Sequence, residues 1–246
     1  MNYIVYDLEF NQKYLNNSSN DKRASELPFE IIQIGALKLN ENFETISTFS
    51  ELIKPTVYTT IHPYVESLTN ITIDKLSSCE EFTTVYHKFI NFIGDIDVTL
   101  CVWGKADIKE LIRNVKFNNL SASSIPLKYI DIQKHASNYF NIPKGSRIGL
   151  KTAVELLSIN FENNFHDAFY DAFYTAEVYK KIYNDTIIPK IYTPNNTRRC
   201  NKSKNKVNTK ALIDQFEKMY NREMSTEEKS IIKMAYNMGK TKQFIT

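Results

Sequence analysis

Tyr3-Ile4-Val5-Tyr6-Asp7-Leu8-Glu9-Phe10 is the stretch on which the reading of this chain turns. Residues 3–8 are nearly all apolar, the pattern of a strand buried at the centre of a sheet. Two acids interrupt it. Residues i and i+2 of a strand point the same way, so Asp7 and Glu9 project two carboxylates onto one side at the strand's end. Asp107, in Trp103-Gly104-Lys105-Ala106-Asp107, falls where a strand and short turn hand over to a helix. Asp171 follows His166 in His166-Asp167-Ala168-Phe169-Tyr170-Asp171-Ala172. It lies on a predicted helix beside Ala168, Ala172 and Ala176, whose small-residue face would let that helix approach the sheet closely. Four acids brought together this way would repel each other strongly unless they shared protons or held divalent cations.

Working outward, Glu30 to Leu39 and Thr45 to Ile53 have strand patterns, with Asn40 to Glu44 a hairpin loop between them. Asn11 to Pro28 is polar and is expected to form a long loop. Phe82, Val85, Tyr86, Phe89, Ile90 and Ile93 share one helical face, and Gly94 stops that helix. Val98 to Trp103 is a strand and Ile108 to Val115 a helix starting just after Asp107. Leu127 to Ile130 is a strand, with Asp131 suited to cap the next helix. Lys151 to Ser158 and Ala168 to Tyr183 complete the helices of this region. Strands first, then alternating helices and strands, predict an α/β fold: a mixed five-stranded sheet with an antiparallel start and parallel additions, flanked by helices.

Composition shifts after Pro189, dividing the chain into a main domain of residues 1–189, a basic linker of 190–210 and a small helical C-terminal region of 211–246. The stretch from 195 to 210 has six basic residues and no acid; it suits either a solvated linker or a grip on a phosphate backbone. Leu212, Ile213, Phe216 and Met219 mark one helix, and Ser225-Thr226-Glu227-Glu228 is a capping-box opening to a second that ends at Gly239. Two short helices bury little alone, so this appendage is expected to pack on the main domain or on a protein or ribonucleoprotein partner.

The 246 residues carry a net charge of +3, which selects no partner, and no apolar run approaches the ~20 residues of a membrane span. The acids at 7 and 9 come too early for a secretory signal's apolar core. Three isolated cysteines, at 79, 101 and 200, argue against a disulfide framework or a zinc site and for a reducing, cytoplasmic setting.

Asp-x-Glu near the N-terminus, a central Asp and His-x4-Asp near the domain's end together resemble the DEDDh 3′→5′ exonucleases of the ribonuclease H-like superfamily, over roughly residues 1–185. The branch that uses tyrosine carries it four residues before the last acid; that position here is Asp167, and His166 stands five before. Glu30-Ile31-Ile32-Gln33-Ile34-Gly35-Ala36, Lys54-Pro55 and Leu68-Thr69-Asn70-Ile71-Thr72 also resemble the KapD/enhanced-RNAi-type exonucleases. The resemblance implies a ribonuclease H-like fold. It implies that Asp7, Glu9, Asp107 and Asp171 hold two divalent cations, Mg2+ or Mn2+, with His166 as general base. It further implies that Leu8 and Phe10 present backbone and an aromatic wedge to the terminal nucleotide, and that Thr69 lies near its sugar. The expected activity is hydrolysis of single-stranded RNA or DNA from the 3′ end to nucleoside 5′-monophosphates, with RNA slightly favoured. Family members often carry Gly shortly before the histidine, where this chain has Asn163-Asn164-Phe165.

Plainer roles compete at several positions. Asp107 could be only a helix cap, Phe10 only core and Trp103 only packing, while Asp131 and Asp167 are best explained as caps. His62, His87 and His135 sit in no ligand pattern. A catalytically silent nucleic-acid-binding or scaffold protein on the same fold is the alternative from another class, and loss of a liganding acid would be its mark.

Overall fold

The structure, a computed structural model, describes residues 2–13, 22–94, 97–143, 145–161, 165–193 and 209–240. Cys200, Asn163-Asn164, most of the basic stretch and the middle of the expected Asn11–Pro28 loop lie outside them. The chain forms two compact units, divided between Pro194 and Asn195.

In the larger unit, β1 (Tyr3–Gln12) is followed by a short helix α1 (Lys22–Glu26), then β2 (Phe29–Leu39) and β3 (Thr45–Leu52). Helices α2 (Pro63–Thr69), α3 (Ile73–Ser77) and α4 (Phe82–Ile93) lead to β4 (Thr99–Val102), α5 (Ala106–Phe117) and β5 (Lys128–Asp131). Helices α6 (Ile132–Tyr139), α7 (Leu150–Leu156) and α8 (Ala168–Ile182) precede β6 (Lys190–Ile191). The sheet order is β3-β2-β1-β4-β5-β6. The β1–β2 and β2–β3 pairs are antiparallel, β4 and β5 add in parallel, and β6 closes the edge antiparallel to β5. The mixed sheet flanked by helices is as expected, with one strand more than the five anticipated. Lys190 and Ile191 therefore belong to the sheet edge rather than to the linker, and a two-residue strand is too short to show a period of two.

β1 separates two apolar layers. Its even positions Ile4, Tyr6 and Leu8 pack with Phe82, Val85, Phe89, Ile108 and Leu111 of α4 and α5. Val5, on the odd side, packs with Ala136, Val154, Ala172, Ala176 and Tyr179 of α6, α7 and α8. α4 coincides with its apolar stripe and ends on Gly94 at φ 74°, a left-handed conformation that glycine adopts without penalty. α2 and α3 were not anticipated, because five to seven residues give too few turns for a 3.6 period to show. Local chemistry makes them: His62 Nδ1 accepts from the Tyr64 N–H ahead of Pro63, and Thr72 caps α3.

Two buried polar side chains brace the strands around this framework. The Glu30 carboxylate accepts the backbone N–H groups of Thr56, Val57 and Tyr58, fixing the turn that follows Lys54-Pro55. Asn114 of α5 accepts from Ile31 N and donates to the Phe29 carbonyl, tying that helix to the start of β2.

The smaller unit holds α9 (Thr209–Tyr220) and α10 (Thr226–Lys240). Ser225 and Glu228 form the anticipated capping box: the Glu228 N–H donates to Ser225 Oγ and the Ser225 N–H to Glu228 Oε2. Arg222 clamps Glu228 through both guanidinium nitrogens, and Lys229 pairs with Glu217. Among the described residues no helix is long and apolar enough to cross a membrane.

Candidate active site

Asp7 and Glu9 share a face of β1, opposite Gly35 and Gln33 of β2, and the ladder shifts register between Glu9 and Phe10. Such a bulge breaks the regular pairing and re-aims side chains beside the second carboxylate. α8 meets the sheet at this point. A Cβ added to Gly35 would stand 2.1 Å from the Phe169 nitrogen and 2.2 Å from the Ala168 carbonyl carbon, so only glycine admits the helix start. Ala168, Ala172 and Ala176 are fully buried beneath it, the small-residue contact anticipated for this helix.

Gln33 fastens the junction. Its Oε1 accepts the Ala168 N–H at 3.1 Å, and its Nε2 donates to Asp167 Oδ2 at 2.9 Å. Asp167 Oδ1 caps α8 by accepting from Phe169 and Tyr170, the capping role expected of it. Gln33 and Gly35 carry much of the local geometry, yet neither figured as a site residue in the sequence reading. The signals were a lone amide inside the apolar run Ile31–Ile34 and a glycine inside a strand. Gln33→Ala is expected to cost about 1–2 kcal/mol of stability. It should also lower turnover about tenfold by loosening α8, which chemical denaturation and steady-state kinetics together would show.

This junction carries Asp171 into the site from the first turn of α8. Its Oδ2 accepts the His166 N–H at 3.2 Å, while its Oδ1 is buried with no hydrogen-bond partner. His166 precedes the helix at φ 67°, a left-handed conformation uncommon for a non-glycine residue, and its side chain is exposed. One donor atom from each of Glu9, His166 and Asp171 lies within 4.8 Å of the others. Asp107 is on the second residue of α5 and is 7% exposed; Lys105 occupies the cap position, so capping does not account for this acid.

The electrostatics bind Asp7 and Asp107 to that trio. Burial first, then the charges of Asp107, Asp171, Glu9 and Asp167, hold Asp7 well above the usual carboxylate range. Burial and the neighbouring acids push Glu9 up to about 8, and burial above all takes Asp107 and Asp171 to about 7. Burial lowers His166 below its ordinary value, so the imidazole is neutral at pH 7 and able to accept a proton. Hard oxygen donors, mutual repulsion and one orphaned buried oxygen suit Mg2+ or Mn2+.

The metal-free protein should therefore lose stability as pH rises. Its site carboxyls keep their protons to about pH 7 or 8, whereas the unfolded chain releases them near ~4. Between those values the folded form binds more protons, so stability falls across the window by a few kcal/mol in order of magnitude. Thermal unfolding in EDTA from pH 4.5 to 8.5, repeated with Mn2+, should show the decline and its reversal by metal.

Leu8 is buried in the core at 4% exposure, so only its backbone can face a ligand. Phe10 is half-buried, with its ring edge-on to Phe29 at 6.1 Å. Thr69 ends α2, its hydroxyl donating to the Val65 carbonyl and accepting from Ile71 N. Thr69 lines a cleft of about 620 Å3 with Gln33, Asn70 and Asp167, on the β2–β3 side of the acids. Trp103 packs against the α6–α8 layer and Asp131 caps α6, both as expected.

The sequence model of the RNase_T family, described as Exonuclease, matches residues 4–179. Human 3′-5′ exoribonuclease 1 is 24% identical over 145 residues, covering 56% of this chain and 41% of that protein, so the match spans well under half of the relative's length. Among solved structures, the nuclease domain of 3′hExo, a DEDDh family member bound to rAMP, superposes with a TM-score of 0.64 at 22% identity, over 78% of this chain and 96% of that one. The Mg2+- and Mn2+-bound form of S. pombe Pop2p gives 0.57 at 19% identity, over 77% and 89%. With the family model matched over most of its larger unit, the chain belongs to the RNase_T exonuclease family.

Proposed function

We propose that this protein is a metal-dependent 3′→5′ exonuclease acting on single-stranded 3′ ends, RNA in preference to DNA, and releasing nucleoside 5′-monophosphates. The observation that carries the reading is the gathering of Glu9, His166 and Asp171 within 4.8 Å, with a buried unpaired oxygen on Asp171 and with Asp7 and Asp107 alongside. Family membership and the exoribonuclease relatives support the direction of attack. The likeness of Glu30–Ala36, Lys54-Pro55 and Leu68–Thr72 to the KapD/enhanced-RNAi-type branch supports the leaning to RNA.

Asp7, Glu9, Asp107 and Asp171 would hold the cations, two in this reading. When bound, these ions lower the pKa of water and neutralise charge on the scissile phosphate and on the departing 3′ oxygen. His166, neutral at pH 7 and exposed at the mouth, takes the attacking water's proton. The water oxygen bonds to phosphorus, the bond to the 3′ oxygen of the preceding nucleotide breaks, and the phosphate leaves with the released nucleoside. Asp167 and Gln33 hold α8, and with it Asp171 and His166, in register with β1. The Thr69 hydroxyl proton is committed to Val65, so towards a terminal sugar hydroxyl it offers only an acceptor lone pair.

Single-stranded RNA and DNA labelled at the 5′ end should shorten stepwise in Mn2+, and the same strands labelled at the 3′ end should lose their label as a mononucleotide at the first step. EDTA should stop both reactions, and His166→Ala should slow them by about 10²–10⁴-fold. Endonucleolytic fragments, or binding of intact strands in every metal, would contradict the reading; the second result would favour a silent nucleic-acid-binding protein.

A further inference from the structure

A second concave site lies at the same end of the sheet as the acids, on the opposite side from the Thr69 cleft. It is a pocket of about 140 Å3 at the ends of β4 and β5, lined by Lys105, Lys134, His135, Arg147 and Lys190 with Asp131 beneath. Lys105 stands two residues before Asp107, and Val102 and Asp131 pair where the two strands end. β5 is two strand spacings from β1, ~10 Å.

Positive charge in this pocket exceeds its compensation. Asp131 is the only acid among the lining residues, and it is already engaged: Oδ1 accepts the Lys134 backbone N–H and Oδ2 faces Arg147 at 3.4 Å. Lys134 and Lys190 line the pocket together, and the nearness of Lys190 is the largest cause of the lowered Lys134 pKa. Burial and the same two lysines lower His135. Like charges crowded into a concave site are relieved by an anion. In the exonuclease reading the strand continues beyond its terminal nucleotide, and this pocket, two strands along the sheet from β1 and away from the Thr69 cleft, lies within reach of it.

We propose that this pocket binds a backbone phosphate of the substrate strand, on the 5′ side of the scissile bond, with Lys134 and Lys190 as its principal contacts. The assignment rests on the exonuclease reading for its place along the strand, and on the pocket's own charge for its chemistry.

The test is the affinity of the full chain for a labelled single-stranded oligonucleotide in Ca2+, measured by anisotropy across a range of salt. The double variant Lys134→Glu with Lys190→Glu is compared with Lys116→Glu with Lys181→Glu, which makes the same change of net charge elsewhere on the surface. The pocket pair should weaken binding about tenfold and reduce the slope of log Kd against log salt by about one, the control pair much less. Turnover of the p-nitrophenyl ester of a nucleoside 5′-monophosphate, which has no upstream phosphate, should be unchanged in the pocket variant. Equal weakening by both pairs, or an unaltered salt slope, would overturn the proposal. A wild type that hydrolyses neither ester nor oligonucleotide, while the pocket pair still loses binding selectively, would sink the exonuclease reading and leave the phosphate site standing.

Discussion

Asp7→Asn should lower metal-supported turnover about a thousandfold or more while making the metal-free protein more stable. The loss follows from its place: burial first, and then the charges of Asp107, Asp171 and Glu9, hold Asp7 well above the usual carboxylate range. A cation held by these oxygens would contribute several kcal/mol of transition-state charge stabilisation, and ~4 kcal/mol corresponds to about a thousandfold in rate. The gain follows from linkage: burial and the neighbouring acids keep Asp7 protonated in the metal-free fold while the unfolded chain ionises it, a cost that an amide at position 7 does not carry. The stabilisation should grow from pH 5 to pH 8, because the cost of protonating Asp7 on folding rises with pH. An inactive variant that melts lower than wild type in EDTA at pH 8 would mean that Asp7 supports the fold in some other way.

Gly35→Ala is expected to damage both stability and activity without touching a charged group. The added methyl would lie 2.1 Å from the Phe169 nitrogen and 2.3 Å from the Ala168 oxygen, all backbone atoms of the first turn of α8. Backbone there cannot turn aside as a side chain can, so the helix start must move by about an ångström or β2 must buckle. Overpacking of this kind costs about 3 kcal/mol, or roughly 10 °C in Tm for a domain of this size. A displacement of about 1 Å at Asp171 and His166 costs on the order of a hundredfold in kcat. Ala172→Gly, on the same helix face, should reduce stability by about 1 kcal/mol with far less effect on rate, which separates misplacement from simple weakening.

The strongly periodic parts of this fold were legible in the sequence. β1 with its two acids, the hairpin through Asn40, α4 from Phe82 to Ile93 and the capping box at Ser225 all stand where their patterns placed them. Elements whose reason for existing is non-local were not. β6 is two residues long and exists because β5 offers an edge; α2 and α3 are made by caps at His62 and Thr72 and by Ile61, Val65 and Leu76 closing over Ile32. The five candidate site residues were recognisable because each interrupts a regular pattern with a charge or a titratable ring. Gln33 and Gly35 make their contacts with residues some 135 positions away, and only the packed structure shows what an amide and a missing side chain do there. Thr69 was expected near the terminal sugar; the structure adds that its hydroxyl is already engaged at both ends of the α2 cap.

The central claim is that the buried acids form a metal centre, and titration of the metal-free protein with Mn2+ by calorimetry tests it most directly. The experiment belongs above pH 8, where Glu9 has given up its proton, with a nucleoside 5′-monophosphate present. Two ions bound per chain in wild type, fewer in Asp7→Asn, and proton release that grows as the pH is lowered towards 7 would support the account. No saturable binding, or binding by Asp7→Asn indistinguishable from wild type, would contradict it.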